Sequence, residues 1–384
     1  MGVSGLFGFL KENQEKNTSK QPFDPSNIIV QIDNRHLAFY IKKITEHRRK
    51  EVIHQITVGI DTSIFLYRRL DNIENMIMYM IQLTDKIIKL GMRPLFVFDG
   101  RFMKNRETDY HIEIFKQKES TVHKRYTHSK KFEIELNIYQ FIQKLKKESN
   151  DQLYYIKELQ NYFEKENKDI ELDLTEIIKI FMMSDEELST KIHDLKKKSN
   201  YLSECHIQSC KVVFDQLNIP YCVSYYEADS LLAQLSKDNV IQAVISEDSD
   251  LIAYGAEILI RGFDIYSSNV QLYVLYNILF HLKLSKSQLI DMCILFGTDY
   301  NKRLKKLSIY ESYHFIIENR NIETILYELF DKYGKQKPSQ FNYQIVRDIY
   351  QQNVQYSLTH IFHHISFPDT LHRVQRNIDM IRTI

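Results

Sequence analysis

Short apolar runs that end in an acidic residue alternate with amphipathic stretches along much of this chain. The runs ITVGID, PLFVFDG and VIQAVISEDSD lead to Asp61, Asp99 and Asp248. A brief, uninterrupted apolar run is typical of a strand buried on both faces of a parallel sheet. Between these runs, segments such as 74–90 repeat their apolar residues every three or four positions, which predicts helices. The pattern therefore predicts an α/β fold with a central, mostly parallel sheet flanked by helices.

The segment 131–202 interrupts this alternation. It is rich in Lys, Glu, Asn and Ile, contains no Gly or Pro, and therefore predicts long helices. After Asp299 the pattern becomes helical again. We accordingly expect an N-terminal region over 1–130, a helical insertion over 131–202, an internal region over 203–300 and a helical C-terminal region over 301–384.

Seven acids follow predicted strands or open predicted helices. They are Asp61, Asp99, Glu227, Asp229, Asp248, Asp250 and Asp299. In an open α/β sheet the carboxyl ends of the strands face one crevice, so these acids are expected to converge. Crowded carboxylates repel one another in a dry site unless cations are present. Because Mg²⁺ prefers hard oxygen ligands, we expect two Mg²⁺ ions about 3.5–4 Å apart, with Mn²⁺ as an alternative.

Each acid taken singly also fits an ordinary helix cap, so only the set of seven favours a metal site. Residues two apart on a regular helix point to nearly opposite faces. Glu227 and Asp229 can therefore share a site if Glu227 lies at the helix entrance or if one of them acts through water. The segment EDSD, with Asp248 and Asp250, is predicted to be a strand end and a loop.

Charge is unevenly distributed although the formal net charge is only +1. Between Arg101 and Lys131 there are nine Lys or Arg residues and four acids. A second basic run consists of Lys302, Arg303, Lys305 and Lys306. Such runs are usually solvated helix faces, and they also suit phosphate contacts. No run approaches the roughly 18 apolar residues of a membrane helix, so no membrane partner is expected.

These motifs together resemble the XPG family of flap endonucleases and 5′-exonucleases. The resemblance covers about 1–130 and 203–315, through MGVSGLFGFL, IDTSIFLY, FVFDG, YEADSLLAQL, SEDSDLIAYG and CILFGTDY. It implies a PIN-like 5′-nuclease fold in which a helical arch is inserted. It also implies a structure-specific DNA nuclease, acting on branched or 5′-ended DNA, with all seven acids as metal ligands.

The resemblance further implies several contacts with the substrate. Lys104 and Arg106 correspond to cations that stabilise the attacked phosphate, and Tyr67 to an aromatic residue that stacks on the substrate, although Tyr67 also fits a buried position under the sheet. The other DNA contacts that we expect are Gly2, Lys116, Lys302, Arg303, Lys305 and Lys306.

The chain departs from the family pattern at four places. Asp33, in IIVQIDNRHLAFY, lies nearer to the family's usual position for the first acid, but we prefer Asp61 because small residues and Tyr67 follow it. The insertion at 131–202 lengthens the arch. NKRLKKLSIYES lacks the glycines of the family's GIG hairpin. The family's C-terminal peptide that binds a sliding clamp is represented only by Gln355, Leu358, Ile361 and Phe362. For these residues helix packing is the favoured interpretation.

Flap endonuclease, 5′ to 3′ exonuclease and junction resolvase remain alternatives, as does a scaffold that binds nucleic acid without cutting it. The N-terminus lacks the basic region and cleavage site of a secretory signal. We therefore expect a monomer inside the cell, in the nucleus of a eukaryote or where a virus replicates its DNA. The bias towards Asn, Ile, Lys and Tyr, without Trp, suggests an AT-rich genome such as that of a large DNA virus or a parasite.

Overall fold

The computed structural model describes residues 2–17, 27–70, 72–100, 109–148, 157–158, 179–199, 202–304, 307–319, 321–328, 341–354 and 356. The chain forms two compact units. One comprises 1–69, 73–117 and 204–384, and the other comprises 70–72 and 118–203. The four-part division expected from the sequence stays a prediction.

A seven-stranded mixed sheet lies at the centre of the first unit. Its strands are Ile29–Asp33 (β1), Ile56–Asp61 (β2), Met92–Phe98 (β3), Tyr221–Val223 (β4), Ala243–Ile245 (β5), Ile258–Arg261 (β6) and Asn269–Val274 (β7). Their order is β1-β7-β6-β5-β2-β3-β4. The five strands from β6 to β4 are mutually parallel, whereas β7 runs antiparallel to β6 and to β1. The predicted α/β fold with a mostly parallel sheet is confirmed.

The helices of the described chain are mostly short and surround the sheet or follow it. They are Leu6–Asn17 (α1), Leu37–Arg49 (α2), Thr62–Tyr67 (α3), Ile73–Lys89 (α4), Asp109–Glu148 (α5), Asp185–Ser199 (α6), Glu204–Leu217 (α7), Ala228–Lys237 (α8), Asp250–Tyr254 (α9), Leu275–Leu282 (α10), Lys286–Phe296 (α11), Ile309–Asn319 (α12), Ile322–Leu326 (α13) and Tyr343–Gln351 (α14).

Strand β2 is buried along its whole length because sheet neighbours flank it and helix α8 packs on it. Gly59 makes this packing close. A Cβ atom at Gly59 would lie 2.5 Å from methyl carbons of both Leu232 and Ile241. Since real Cβ contacts do not become so short, glycine lets α8 approach the strand that ends at Asp61.

The chain before β2 adds an outermost strand to the sheet. Strand β1 pairs antiparallel with β7, and a short 3₁₀ turn at Asn34–His36 leads into α2. The side chain of Asp33 accepts a hydrogen bond from the Arg35 backbone N–H at 2.8 Å and caps this turn. The segment before β2 therefore folds as a strand, a short turn and a helix.

The second unit contains most of α5 together with α6. Its apolar core includes Ile138, Ile142, Leu188 and Ile192. Within this unit, the Ser129 hydroxyl donates to the Ser199 carbonyl. The helices predicted over 131–202 are therefore present where the structure describes that segment.

The sequence has four cysteines without a CxxC pair or zinc-ligand spacing, which predicts reduced thiols in the core, and all four are free thiols in the structure. Cys210, Cys222 and Cys293 are buried, but Cys205 is exposed. The expectation that all four lie in the core was wrong for Cys205, because it lies in the first turn of α7 rather than on the buried face of that helix.

Among the described residues, no helix has both the length and the apolar character needed to cross a membrane.

Candidate metal centre

Four neighbouring parallel strands end at one edge of the sheet. Asp61 is the last residue of β2, and Asp99 directly follows β3. Asp248 lies three residues beyond the end of β5, and Glu227 four residues beyond the end of β4. Because these strands are parallel and adjacent, their carboxyl ends bring the acids to the same edge.

Asp99 is held by groups from two helices. Its Oδ2 accepts a hydrogen bond from the Ser63 hydroxyl at 2.8 Å, and its Oδ1 accepts one from the Ala228 backbone N–H at 2.9 Å. Ser63 belongs to α3 and Ala228 is the first residue of α8. A Cβ atom at Gly100 would lie 1.7 Å from the Ser224 carbonyl oxygen, so only glycine fits after Asp99 here.

A short polar chain links Asp61 to the acids after β5. The Ser246 hydroxyl donates to Asp61 Oδ2 at 3.1 Å and accepts from the Asp248 N–H at 3.0 Å. Oδ1 of Asp248 then accepts from the Asp250 N–H at 2.9 Å. Asp248 lies in the loop, as predicted. The prediction was wrong for Asp250, which is the first residue of α9, because Ser249 already serves as the N-cap.

Glu227 and Asp229 lie at the entrance of α8. Glu227 is the N-cap residue with extended backbone, and Asp229 lies in the first helical turn. The geometric requirement for these two acids to share a site, a non-helical Glu227, is therefore met.

Asp299 lies next to the start of the chain. The Gly2 backbone N–H donates to Asp299 Oδ1 at 3.3 Å. Gly2 has a φ of +86°, and a Cβ atom there would lie 2.1 Å from Asp248 Oδ1. A cavity of about 490 Å³ opens beside these groups, lined also by Arg261 and Thr298.

Burial and mutual repulsion disfavour the ionised forms of these acids. Burial, with Asp99 and Asp248 nearby, raises the pKa of Asp61 to about 8. Burial also raises the pKa values of Asp229 and Asp250 well above the usual range, and neighbouring acids add to both shifts. Burial raises the pKa of Asp248 as well. A nearby cation would reverse these shifts by stabilising the charged carboxylates.

Two carboxylate oxygens in this group are buried without a hydrogen-bond partner, namely Oδ1 of Asp229 and Oδ1 of Asp250. A buried polar atom without a partner is costly, and a hard oxygen is what Mg²⁺ or Mn²⁺ prefers. The acids lie within electrostatic reach of one another, although no three metal-ligating side chains among the described residues form a closed cage. The donor set therefore fits a hard divalent cation.

Asp33 lies apart from this group. Its strand, β1, is separated from β2 by β7, β6 and β5, and its carboxylate pairs with Arg35 at 2.8 Å. The hydrogen bonds from Arg35 lower the pKa of Asp33 to about 2. The structure thus brings Asp61, and not Asp33, beside the other acids.

The expected DNA contacts are only partly described. Lys302 and Arg303 are exposed, and the Arg303 Nε donates to the Leu307 carbonyl at 2.8 Å. Tyr67 ends α3 with 39% of its surface exposed, so it is not the fully buried residue of the alternative interpretation. The remaining predicted residues, or their side chains, lie outside the described part: Lys104, Arg106, Lys116, Lys305, Lys306, Gln355, Leu358, Ile361 and Phe362.

The sequence reasoning missed the polar residues that hold the acids. Ser63 and Ser246 each donate to a carboxylate, and the Tyr300 hydroxyl donates to Glu227 Oε2. A signal was present, since Ser63 lies two residues after Asp61 and Tyr300 directly follows Asp299. Hydroxyl groups beside clustered acids are natural second partners for the carboxylates.

Two family models match this chain. The XPG N-terminal domain matches residues 1–120, and the XPG I-region matches residues 218–299. Together the matches include 202 of the 384 residues. All seven predicted acids lie inside the matched regions.

Flap endonuclease 1 of Enterocytozoon bieneusi (strain H348) is 30% identical over 170 residues, 43% of this chain and 46% of that protein. The "Probable RAD2-like endonuclease 076L" of Invertebrate iridescent virus 3 is 23% identical over 321 residues, 74% of this chain and 80% of the viral protein. The chain spans between 32% and 46% of the length of the first flap endonucleases that it matches.

The fold is similar to that of a solved structure, the catalytic core of Rad2 in complex with a DNA substrate. The TM-score is 0.56 with 15% sequence identity, and the match covers 100% of both chains. At this identity the likeness concerns the fold.

Proposed function

Because this chain belongs to the XPG family, we propose that it is a metal-dependent, structure-specific DNA nuclease that hydrolyses phosphodiesters near 5′ ends or flaps. The observation that carries this proposal is the group of acids at one edge of the sheet, with buried oxygens of Asp229 and Asp250 that lack partners. Such a group is strained by its own charge unless divalent cations bind there.

The residues that would hold two Mg²⁺ ions, with Mn²⁺ as an alternative, are Asp61, Asp99, Glu227, Asp229, Asp248, Asp250 and Asp299. When bound, such ions activate a water molecule for attack and stabilise the leaving oxygen. The hydroxyls of Ser63 and Ser246 fix one carboxylate oxygen each on Asp99 and Asp61. These hydrogen bonds hold the two carboxylates in constant orientations.

Other residues of the chain would bind the DNA. Lys104 and Arg106 would stabilise negative charge on the attacked phosphate, and Lys116 would add to the basic surface. Tyr67, exposed at the end of α3, suits stacking on a base. The backbone of Gly2 adjoins Asp299 and suits a phosphate close to the metals. Contacts with the duplex are assigned to Lys302, Arg303, Lys305 and Lys306, in place of the glycine hairpin.

For the substrate, we propose a 5′ flap as the preferred form, with a nicked duplex degraded from its 5′ end and a four-way junction as alternatives. The names of the relatives, flap endonuclease 1 and a RAD2-like endonuclease, support this order. We place the activity where DNA is replicated or repaired, in the nucleus or at a viral replication site.

A panel of labelled DNAs tests the proposal. Flap, nicked, blunt and four-way-junction substrates are incubated with Mg²⁺, and the products are sized and checked for a 5′ phosphate. We expect the fastest cleavage on the flap. Absence of cleavage on all four substrates would favour a scaffold that binds without cutting.

The assignment of the acids needs a separate variant. Asp248→Ala should abolish Mg²⁺-dependent cleavage while DNA affinity, measured by fluorescence anisotropy, stays within a few-fold of the wild type. Full residual cleavage by this variant would show that the acid group is not the active site.

A further inference from the structure

Three tyrosines from separate parts of the chain pack against the acid group. Tyr254 ends α9, Tyr300 follows Asp299, and Tyr350 belongs to α14. The ring of Tyr350 meets those of Tyr254 and Tyr300 edge-on, with centroids 4.8 and 5.8 Å apart. Tyr254 and Tyr350 are almost completely buried. We call these three residues the tyrosine cluster, and the proposed reaction gives them no direct role.

The hydroxyls of Tyr254 and Tyr300 form a directed chain of hydrogen bonds that ends on an acid. The Tyr300 hydroxyl donates to Glu227 Oε2, and the hydroxyls of Tyr254 and Tyr300 are 2.9 Å apart. An ionised carboxylate only accepts, and a phenol has one proton to donate. Since Tyr300 uses its proton on Glu227, Tyr254 is the donor in its contact with Tyr300. The order is therefore Tyr254 to Tyr300 to Glu227.

The main chain of Glu227 is fixed independently of this contact. Its carbonyl accepts hydrogen bonds from the hydroxyls of Ser224 and Ser230, both at 2.9 Å. A glutamate side chain has several rotatable bonds, and ordering them on metal binding costs conformational entropy. The Tyr300 hydroxyl restricts the Glu227 carboxylate before a ligand arrives, and partners of this kind commonly tune metal affinity.

We propose that Tyr300 is a positioning residue that holds Glu227 ready to bind a divalent cation, and that Tyr254 acts only through Tyr300. Tyr350 supports both rings by packing. This inference rests on the proposed function, since it requires Glu227 to be a metal ligand.

The test compares Tyr300→Phe, Tyr254→Phe and the double variant. Tyr313→Phe is the matched control, because the Tyr313 hydroxyl donates to the Leu282 carbonyl at 3.2 Å, in a different part of the fold. Mn²⁺ affinity of the DNA-free protein is measured from the electron paramagnetic resonance signal of free Mn²⁺. Thermal unfolding in EDTA is recorded for every variant.

We expect Tyr300→Phe to weaken Mn²⁺ binding about tenfold, the low end of the range for lost ligand partners. Tyr254→Phe should weaken it about threefold, and the control should stay within twofold. The double variant should bind Mn²⁺ as Tyr300→Phe does, because Tyr254 has no route to Glu227 once Tyr300 loses its hydroxyl. If the two substitutions acted independently through packing, their fold losses of Mn²⁺ affinity would instead multiply in the double variant.

Three results would overturn the proposal. Tyr300→Phe could bind Mn²⁺ like the wild type, the two single effects could multiply in the double variant, or the control could lose as much affinity as Tyr300→Phe. If Tyr300→Phe does not fold, the test rests on Tyr254→Phe. An unchanged Mn²⁺ affinity of Tyr254→Phe would then overturn the proposed hydrogen-bond chain from Tyr254 through Tyr300 to Glu227. A wild-type chain that binds no Mn²⁺ and cuts no DNA would refute the proposed function itself. If the wild type cuts DNA and binds Mn²⁺, and Tyr300→Phe binds Mn²⁺ with the same affinity, only the positioning role of Tyr300 is refuted.

Discussion

Replacing Asp61 by Asn should stabilise the metal-free protein at neutral pH. Asp61 is buried, and its pKa is raised from 3.8 to about 8 by burial and by Asp99 and Asp248. An acid with a raised pKa in the folded state favours folding at low pH, where it is protonated in both states. That advantage is lost as the pH rises from about 4 towards 8, because only the unfolded chain can ionise freely.

The size of the effect follows from this pKa shift. Between pH 3.8 and pH 7 the unfolded state gains about 1.4 kcal/mol per pH unit from ionisation, or about 4 kcal/mol in all. Asp61 is one of several interacting acids, so only part of this free energy is recovered when Asp61 alone is replaced. We therefore expect about 2 kcal/mol of stabilisation from Asp61→Asn. For a chain of this size that corresponds to a rise of roughly 2–3 °C in melting temperature. Asparagine keeps an oxygen that can accept the hydrogen bond from Ser246.

The assay is thermal unfolding in EDTA at pH 7 and at pH 4, followed by saturating Mg²⁺ at pH 7. The variant should be more stable than the wild type in EDTA at pH 7, and the difference should vanish at pH 4. Mg²⁺ should reverse the order, since about 100 times the dissociation constant adds about 2.7 kcal/mol to a protein that binds it. An Asp61→Asn chain that is less stable than the wild type in EDTA at pH 7 would refute this reasoning.

Asp264→Asn is the matched control. Burial acts to raise the pKa of Asp264, but hydrogen bonds from the Tyr266 N–H and from Tyr79, together with Arg68, lower it overall. Its ionised form therefore stabilises the fold, through contacts that include an Arg68 ion pair at 2.8 Å. This variant should be less stable than the wild type at pH 7, with or without Mg²⁺.

Three further predictions concern other parts of the chain. Arg347→Ala removes two hydrogen bonds, 2.8 and 2.9 Å long, from the buried Asp291, which keeps its bond from the Ile322 N–H, and should cost about 3 kcal/mol in urea unfolding. Gly2→Ala puts a Cβ atom 2.1 Å from Asp248 Oδ1 at a φ of +86°, and the resulting local strain of about 1–3 kcal/mol should lower the cleavage rate about tenfold or more and the melting temperature by at most a few degrees. Lys302→Ala should weaken duplex binding a few-fold and reduce the slope of log affinity against log salt by about 1, measured by fluorescence anisotropy.

The sequence allowed the sheet and most of the acids to be predicted because their signals are local. An apolar run followed at once by an acid marks both the strand and its carboxyl end, as for β2 with Asp61 and β3 with Asp99. Strand order is not local. Both Asp33 and Asp61 end a strand, and what separates them is that β1 lies at the sheet edge whereas β2 lies between β5 and β3.

The tyrosine cluster could not be predicted from the sequence for the same reason. Tyr300 directly follows Asp299 and could have been suspected, but Tyr254 and Tyr350 are 46 residues before it and 50 residues after it. Only the packing of α14 against α9 and α11 brings their rings together. The sequence also could not decide whether Asp250 lies in a loop or begins helix α9, because a short apolar pattern is compatible with both.

The most direct test of the central claim is anomalous X-ray scattering from crystals grown with Mn²⁺. Peaks are expected at the carboxyl edge of the sheet, within coordination distance of Asp229 and Asp250, whose buried oxygens lack partners in the protein. The same crystals of Asp229→Asn should show a weaker peak or none. Mn²⁺ peaks only elsewhere on the wild-type chain, with none among the seven acids, would contradict the account.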